Sequence, residues 1–219
     1  MSLKRLWWWA LPLLCFTSVT CTREYVEDLR GVCFDRDVLP IFQSNCTQSG
    51  CHNSQDRREG YDLTSYENIV SHGIAPGDYK RSKIYQALVA IGEARMPQSP
   101  YNRLTDAQIT TIALWIKEGA NHTTCTDSTT CDTSNPKFST SVSPILQTYC
   151  NGCHGGSSPL GNVDYNSYTG VKATVTNGKL MGSIRHQSGY SAMPQNAAPL
   201  SDCKISIIQA WIDAGAANN

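Results

Sequence analysis

The sequence predicts an all-α protein made of two tandem copies of a small, loop-rich domain. Three observations predict it. A set of landmarks recurs in the same order about a hundred residues apart. Apolar residues fall at helical spacing at both ends of each copy. No stretch alternates apolar and polar residues over the length of a strand. The period is too long for a solenoid unit and suits a duplicated domain. A chain of 219 residues has room for two.

The landmarks are specific. Pro40-Ile41-Phe42-Gln43-Ser44-Asn45-Cys46 matches Pro144-Ile145-Leu146-Gln147-Thr148-Tyr149-Cys150. Cys51-His52 matches Cys153-His154, and Ser65-Tyr66 matches Ser167-Tyr168. Met96-Pro97-Gln98 matches Met193-Pro194-Gln195. The run from Leu104-Thr105-Asp106 to Trp115-Ile116 and Gly119-Ala120 matches the run from Leu200-Ser201-Asp202 to Trp211-Ile212 and Gly215-Ala216. Between the copies the chain is rich in Thr, Ser, Asn and Asp, which is linker chemistry. The boundaries that follow are copy one over 33–120, a linker over 121–137 and copy two over 138–219.

Each copy should open and close on a helix. Val142, Ile145, Leu146 and Tyr149 form a helical stripe, with Val38, Ile41 and Phe42 as counterparts. Ile109, Ile112, Ala113 and Ile116 form the closing stripe of copy one; Ile205, Ile208 and Ile212 repeat it. Thr105 and Gln108 have capping-box spacing, whereas Lys204 replaces the capping Gln in copy two. Gly119 and Gly215 stand where a helix end favours positive φ. The middles, with Gly73, Pro76, Gly77, Gly155, Gly156 and Pro159, read as loops with one short helix.

The N-terminus reads differently. Lys4 and Arg5 precede an apolar run of 11 residues, Leu6 to Phe16. That is too short to span a bilayer and suits a signal peptide over 1–20. Ser18-Val19-Thr20 before Cys21 resembles a bacterial lipoprotein cleavage box, which makes Cys21 a lipid anchor and 21–32 a tether. Leu13 and Leu14 before Cys15 make that cysteine a poorer candidate. Without Lys4 and Arg5 the chain carries 16 basic and 18 acidic residues. Nothing in that balance favours nucleic acid.

Cys150-Asn151-Gly152-Cys153-His154 is C-x-x-C-H, the attachment signature of c-type haem. Two thiols one turn apart reach the vinyl groups on one porphyrin edge, and the adjacent His becomes the proximal iron ligand. Half of a zinc site and a redox dithiol are the other uses of this pattern. Cys46-Thr47-Gln48-Ser49-Gly50-Cys51-His52 is the same signature with two more residues between the thiols. That longer loop must bulge, which Gly50 eases, and a Cys46–Cys51 disulfide is its alternative. Met96-Pro97 follows His52 by 44 residues, and Met193-Pro194 follows His154 by 39. Thioether sulfur at Met96 and Met193 is the expected sixth ligand. Met181 lacks the Pro and the register. His72, His122 and His186 fall at no common place in the two copies and read as surface histidines.

A helix ending in C-x(n)-C-H, a Met-Pro loop and a closing helix resemble the class I cytochrome c domain. Phe34-Asp35-Arg36-Asp37, leading to Pro40-Ile41 and on to Cys51-His52, resembles more narrowly the planctomycete-type cytochrome c domain of exported bacterial proteins. The resemblance spans about residues 33–120 and 138–216. It implies that the first and last helices of each copy pack together, with Trp115 and Trp211 near that contact or the haem wall. On that basis Cys33 is expected to pair with Cys125 and Cys131 with Cys203. A local Cys125–Cys131 bridge is the alternative among the three pairings that four cysteines permit.

The sequence therefore leads to a dihaem c-type cytochrome, exported and lipid-anchored on a periplasmic or cell-surface face. It would pass single electrons to redox partner proteins rather than process a substrate. A haem enzyme of dihaem peroxidase type and a non-haem, disulfide-stapled binding module are the rival readings.

Overall fold

A computed structural model describes residues 31–125 and 131–219. The expected signal segment, Cys15 and the lipid-bearing Cys21 lie outside these residues. Among the described residues the protein is all-helical, with eight α-helices and no strand.

Copy one begins with a widened π-type turn, Phe34–Val38, that runs straight into α1, Leu39–Cys46. Pro40 lies in the first turn of α1, where a missing N–H costs nothing. α2 (Tyr66–Ser71) and α3 (Lys83–Val89) are short, and α4 (Asp106–Lys117) closes the copy. Copy two repeats the order: a π-type turn Phe138–Val142, then α5 (Ser143–Tyr149), α6 (Tyr168–Thr176), α7 (Lys179–Ile184) and α8 (Asp202–Asp213).

Each middle thus holds two short helices, where the sequence suggests one. The extra helices, α3 and α7, bury little: Ile84 and Leu88 in one, chiefly Leu180 and Ile184 in the other. One i, i+4 pair is too little periodicity to mark a helix. Val142 belongs to the π-type turn rather than to the regular helix.

The capping box forms. Thr105 Oγ1 accepts from the Gln108 N–H at 3.2 Å, and Gln108 Oε1 accepts from the Thr105 N–H at 2.8 Å. With Lys204 in the Gln position, Ser201 makes no side-chain cap at the start of α8.

Each copy has its own hydrophobic cluster, closed in the same way. Phe34, from the opening turn, packs on Trp115 of α4 at 5.1 Å and edge-on against Tyr66 at 5.1 Å. Phe138 meets Trp211 at 5.5 Å and Tyr168 at 5.2 Å. Trp115 donates to the Asn121 carbonyl and Trp211 to the Ala217 carbonyl, both at 2.9 Å. Tyr66 and Tyr168 donate to the carbonyls of Ala120 and Ala216, at 2.9 and 2.7 Å. Gly119 and Gly215, at φ 103° and 98°, turn the chain so that these carbonyls face inward. Full burial of rings this large is worth about 1.5–3 kcal/mol each.

Two disulfides fasten these ends. Cys33 is joined to Cys125 and Cys131 to Cys203, with Cα atoms 6.1 and 5.4 Å apart. The first ties the chain before α1 to the chain after α4; the second ties the linker to α8.

The two copies fall within one compact unit, Gly31–Asn219, in which α1 packs against α5. Ser44 Oγ donates to the Thr148 carbonyl at 2.6 Å, and Gln108 Nε2 donates to the Gln147 carbonyl at 3.1 Å. Tyr149 donates to the Arg36 carbonyl at 3.3 Å, and Asn102 Nδ2 to Asn166 Oδ1 at 2.8 Å. These bonds use side chains on one face and backbone acceptors on the other almost throughout.

Candidate functional site

Both cysteine–histidine motifs lie at the C-terminal end of a copy's first helix. The helix does not simply stop; its backbone curls back on itself. The His52 N–H donates to the Cys46 carbonyl at 3.0 Å, and the His154 N–H to the Cys150 carbonyl at 2.9 Å. The two motifs therefore close on the same bond despite their different lengths. In copy one the two extra residues bulge outward, helped by Gly50 at φ 79°. The bulge is held by Asp56, whose Oδ2 accepts from the Gly50 N–H and from Asn53 Nδ2, each at 2.6 Å. Those two donors, Asn53 first, hold the Asp56 carboxyl below the usual carboxylate range.

The histidines are fixed in one orientation. His52 Nδ1–H donates to the Arg58 carbonyl at 3.0 Å, and His154 Nδ1–H to the Leu160 carbonyl at 2.9 Å. In each case the acceptor lies six residues downstream, at the start of a one-turn 3₁₀ segment. The same segment bonds back to the second cysteine: Arg58 N–H to the Cys51 carbonyl and Leu160 N–H to the Cys153 carbonyl, both at 3.0 Å. An imidazole whose Nδ1 carries the proton presents an unprotonated Nε2, the state a metal ligand needs. A tyrosine stands edge-on to each ring, Tyr61 at 5.9 Å from His52 and Tyr165 at 5.5 Å from His154. The sequence comparison misses this pair, because Tyr61 and Tyr165 lie at different distances from their histidines.

The thiols are sorted. Cys46, Cys51, Cys150 and Cys153 are all free, while the four other described cysteines are paired. The Cys46–Cys51 disulfide that the sequence allows is not formed. Burial pushes the Cys46 thiol up to about 12, with a smaller contribution from Cys51, and the Cys150 thiol likewise up to about 12. Burial also raises Cys51 and Cys153. A redox dithiol of the C-x-x-C kind works through a depressed thiol pKa, the opposite of this environment. Among the described residues no three His, Cys, Asp or Glu side chains gather as a metal cage of the kind zinc takes.

Copy one holds a cleft beside the motif. Its lining includes Cys46, Cys51 and His52 together with Met96, Pro97 and Tyr101. The cleft contains about 520 Å³ of empty space, its open mouth included. Met96 is thus brought to the same cavity as the cysteines and histidine 44 residues upstream. Its N–H donates to the Ala87 carbonyl in α3 at 2.9 Å. In copy two the Met193 N–H donates to the Ser183 carbonyl in α7 at 3.1 Å. The equivalent helices therefore anchor the two methionines alike. Both Met–Pro bonds are cis.

The remaining histidines are occupied elsewhere. His72 contacts Ser71 at 2.8 Å, and His122 stacks on Tyr66 and meets Asp35 at 3.1 Å. His186 Nε2 donates to the Met193 carbonyl at 3.1 Å, so it braces the methionine loop. Met181 packs against the core of copy two. No protein-family model, no curated protein and no solved structure matches the chain.

Proposed function

We propose that this protein is a dihaem c-type cytochrome that carries single electrons at a membrane surface. One observation supports the reading above all. In both copies, two free thiols and a histidine with Nδ1 bonded to a backbone carbonyl lie on one turn, while the other described cysteines are paired. That donor set fits a covalently held haem, and it fits neither a zinc cage nor a reactive dithiol.

A bound haem supplies a one-electron couple at its iron. The chain's own part is attachment, ligation and insulation. Cys46, Cys51, Cys150 and Cys153 would hold the haem covalently through their sulfurs. His52 and His154 would ligate its iron through Nε2, and Met96 and Met193 through thioether sulfur. On this reading the class I and planctomycete-type resemblance describes residues 33–120 and 138–216 as two cytochrome domains. Export and a lipid on Cys21 would place them at a membrane, where redox proteins are the partners. No helix among the described residues is long and apolar enough to cross one.

The test is the intact mass of the mature protein, together with retention of the red colour in acid acetone. Two haem adducts and a lipidated N-terminus are expected. A mass without haem overturns the reading, and one adduct on Cys150 and Cys153 alone removes copy one from it. The peroxidase reading needs an open iron position, so rapid peroxide binding by the resting protein would favour it.

A further inference from the structure

The first motif exceeds the second by two residues. Cys46 and Cys51 enclose Thr47-Gln48-Ser49-Gly50, where Cys150 and Cys153 enclose only Asn151-Gly152. The longer loop carries Gln48, a buried polar residue. Gln48 Nε2 donates to the Ser44 carbonyl at 2.6 Å and lies 3.5 Å from the Sγ of Cys153, in the other copy. The Cys153 thiol itself reaches the Ser44 carbonyl, at 3.5 Å. The backbone of Gln48 serves the first motif: its carbonyl accepts from the Cys51 N–H at 3.0 Å and from Asn53 Nδ2 at 3.1 Å. One residue therefore touches the second sulfur of copy two and holds the second cysteine of copy one.

Fold stability alone does not account for this arrangement. Gln48 Oε1 is buried with no hydrogen-bond partner, and an unsatisfied buried oxygen destabilises the folded state. A loop of the shorter C-x-x-C kind has no residue to put in this place.

We propose that Gln48 joins the two attachment motifs into one electron-transfer unit, so that an electron received at one copy passes within the chain to the other. The proposal rests on the dihaem reading above. The step moves one electron, oxidising one iron as the other is reduced; no bond forms and no proton moves. The contact route from Cys153 through Gln48 to Cys51 requires no rearrangement of either copy. The two extra residues of the first motif are, on this account, the part that makes two cytochrome copies a relay.

The experiment uses the mature two-haem protein with Gln48→Ala, Gln48→Met and, as control, the exposed Gln86→Ala. Haem number is read by mass. Exchange between the haems is read after flash reduction by one electron. Alkylation of Cys153 is read in the haem-free chain. Gln48→Ala is expected to keep both haems, to slow internal exchange severalfold and to speed Cys153 alkylation severalfold. Gln48→Met keeps a long stem across the gap and loses the unpaired oxygen. It is expected to slow exchange less than Ala does, an order that a merely structural role does not produce. Gln86→Ala is expected to match wild type. Wild-type exchange in Gln48→Ala, or unchanged Cys153 alkylation, overturns the proposal. Absence of haem from the wild type overturns instead the reading beneath it.

Discussion

Replacing Gly152 by Ala should break the docking of the two copies without touching either core. A Cβ built on Gly152 overlaps the carbonyl of Ser44, and the Asn45 side chain crowds it at 2.8 Å. The obstructing atoms at Ser44 are backbone, so no side chain can swing aside. To restore ordinary contact, α1 must retreat by about one bond length, ~1.5 Å. Overpacking of this kind costs about 1–3 kcal/mol. The same retreat stretches the Ser44–Thr148 and Cys153–Ser44 contacts, of which each full hydrogen bond lost adds about 1 kcal/mol. The expected total is about 2–5 kcal/mol, read as a fall in the urea midpoint. Trp115 and Trp211 report on the separate cores, so their fluorescence should stay native below the transition. Ser44→Ala is the companion variant. It strands the Thr148 carbonyl but creates no overlap, and should cost about 1 kcal/mol. A Gly152→Ala midpoint equal to wild type would refute the reasoning, because α1 and α5 could then not approach as closely as described.

Three further outcomes are expected. On the dihaem proposal, Met96→Ala and Met193→Ala should each lower the potential of one haem only, since thioether sulfur favours ferrous iron; Met181→Ala should shift neither, and an unchanged redox titration for Met193→Ala would remove that residue as ligand. Opening either disulfide, by Cys125→Ser or Cys203→Ser, frees a sequence separation of 92 or 72 residues and should lower stability by at most about 4–5 kcal/mol on the chain-entropy account; a thermal midpoint insensitive to both would contradict it. The lowered Asp56 pKa means that its hold on the bulge is fully present above the unfolded carboxylate value, about 3.9, and is lost as pH falls through the lower folded value. The Gly50 amide resonance should therefore titrate with a midpoint below that of an ordinary Asp, and a midpoint at or above it would break the assignment.

Much of the architecture was legible in the residues, and the gaps have causes. The duplication was plain because the landmarks are chemically demanding: two cysteine–histidine motifs, two Met-Pro pairs and two Trp-bearing helices. The terminal helices were legible from long apolar stripes, and the Thr105–Gln108 cap from its spacing. α3 and α7 were not, being too short for periodicity to accumulate. The partnership of Phe34 with Trp115, and of Phe138 with Trp211, joins residues some 70–80 positions apart in the chain and leaves no local mark. The α1–α5 contact was invisible for another reason. The donors there and in the adjoining α4 and opening turn are Ser44, Gln108 and Tyr149, their acceptors are backbone carbonyls, and carbonyls have no residue type. For the same cause the role of Gln48 could not be separated from loop length alone. The carbonyls of Arg58 and Leu160, which aim the two histidines, were equally hidden.

The burial of Cys46 and Cys150 bears on how such a chain matures. Disulfide exchange proceeds by attack of a thiolate, and at neutral pH a thiol raised to about 12 is almost wholly protonated. Before folding, all eight described cysteines compete on similar terms, and Cys33 would meet Cys46 and Cys51 long before Cys125. After folding, the first sulfur of each motif is withdrawn from that competition. If the chain is exported as proposed, an oxidising compartment can then close the two bridges while Cys46 and Cys150 stay reduced. On the dihaem proposal the fold acts as a protecting group during biosynthesis, and variants that loosen α1 or α5 should accumulate mispaired chains without haem rather than merely less stable ones.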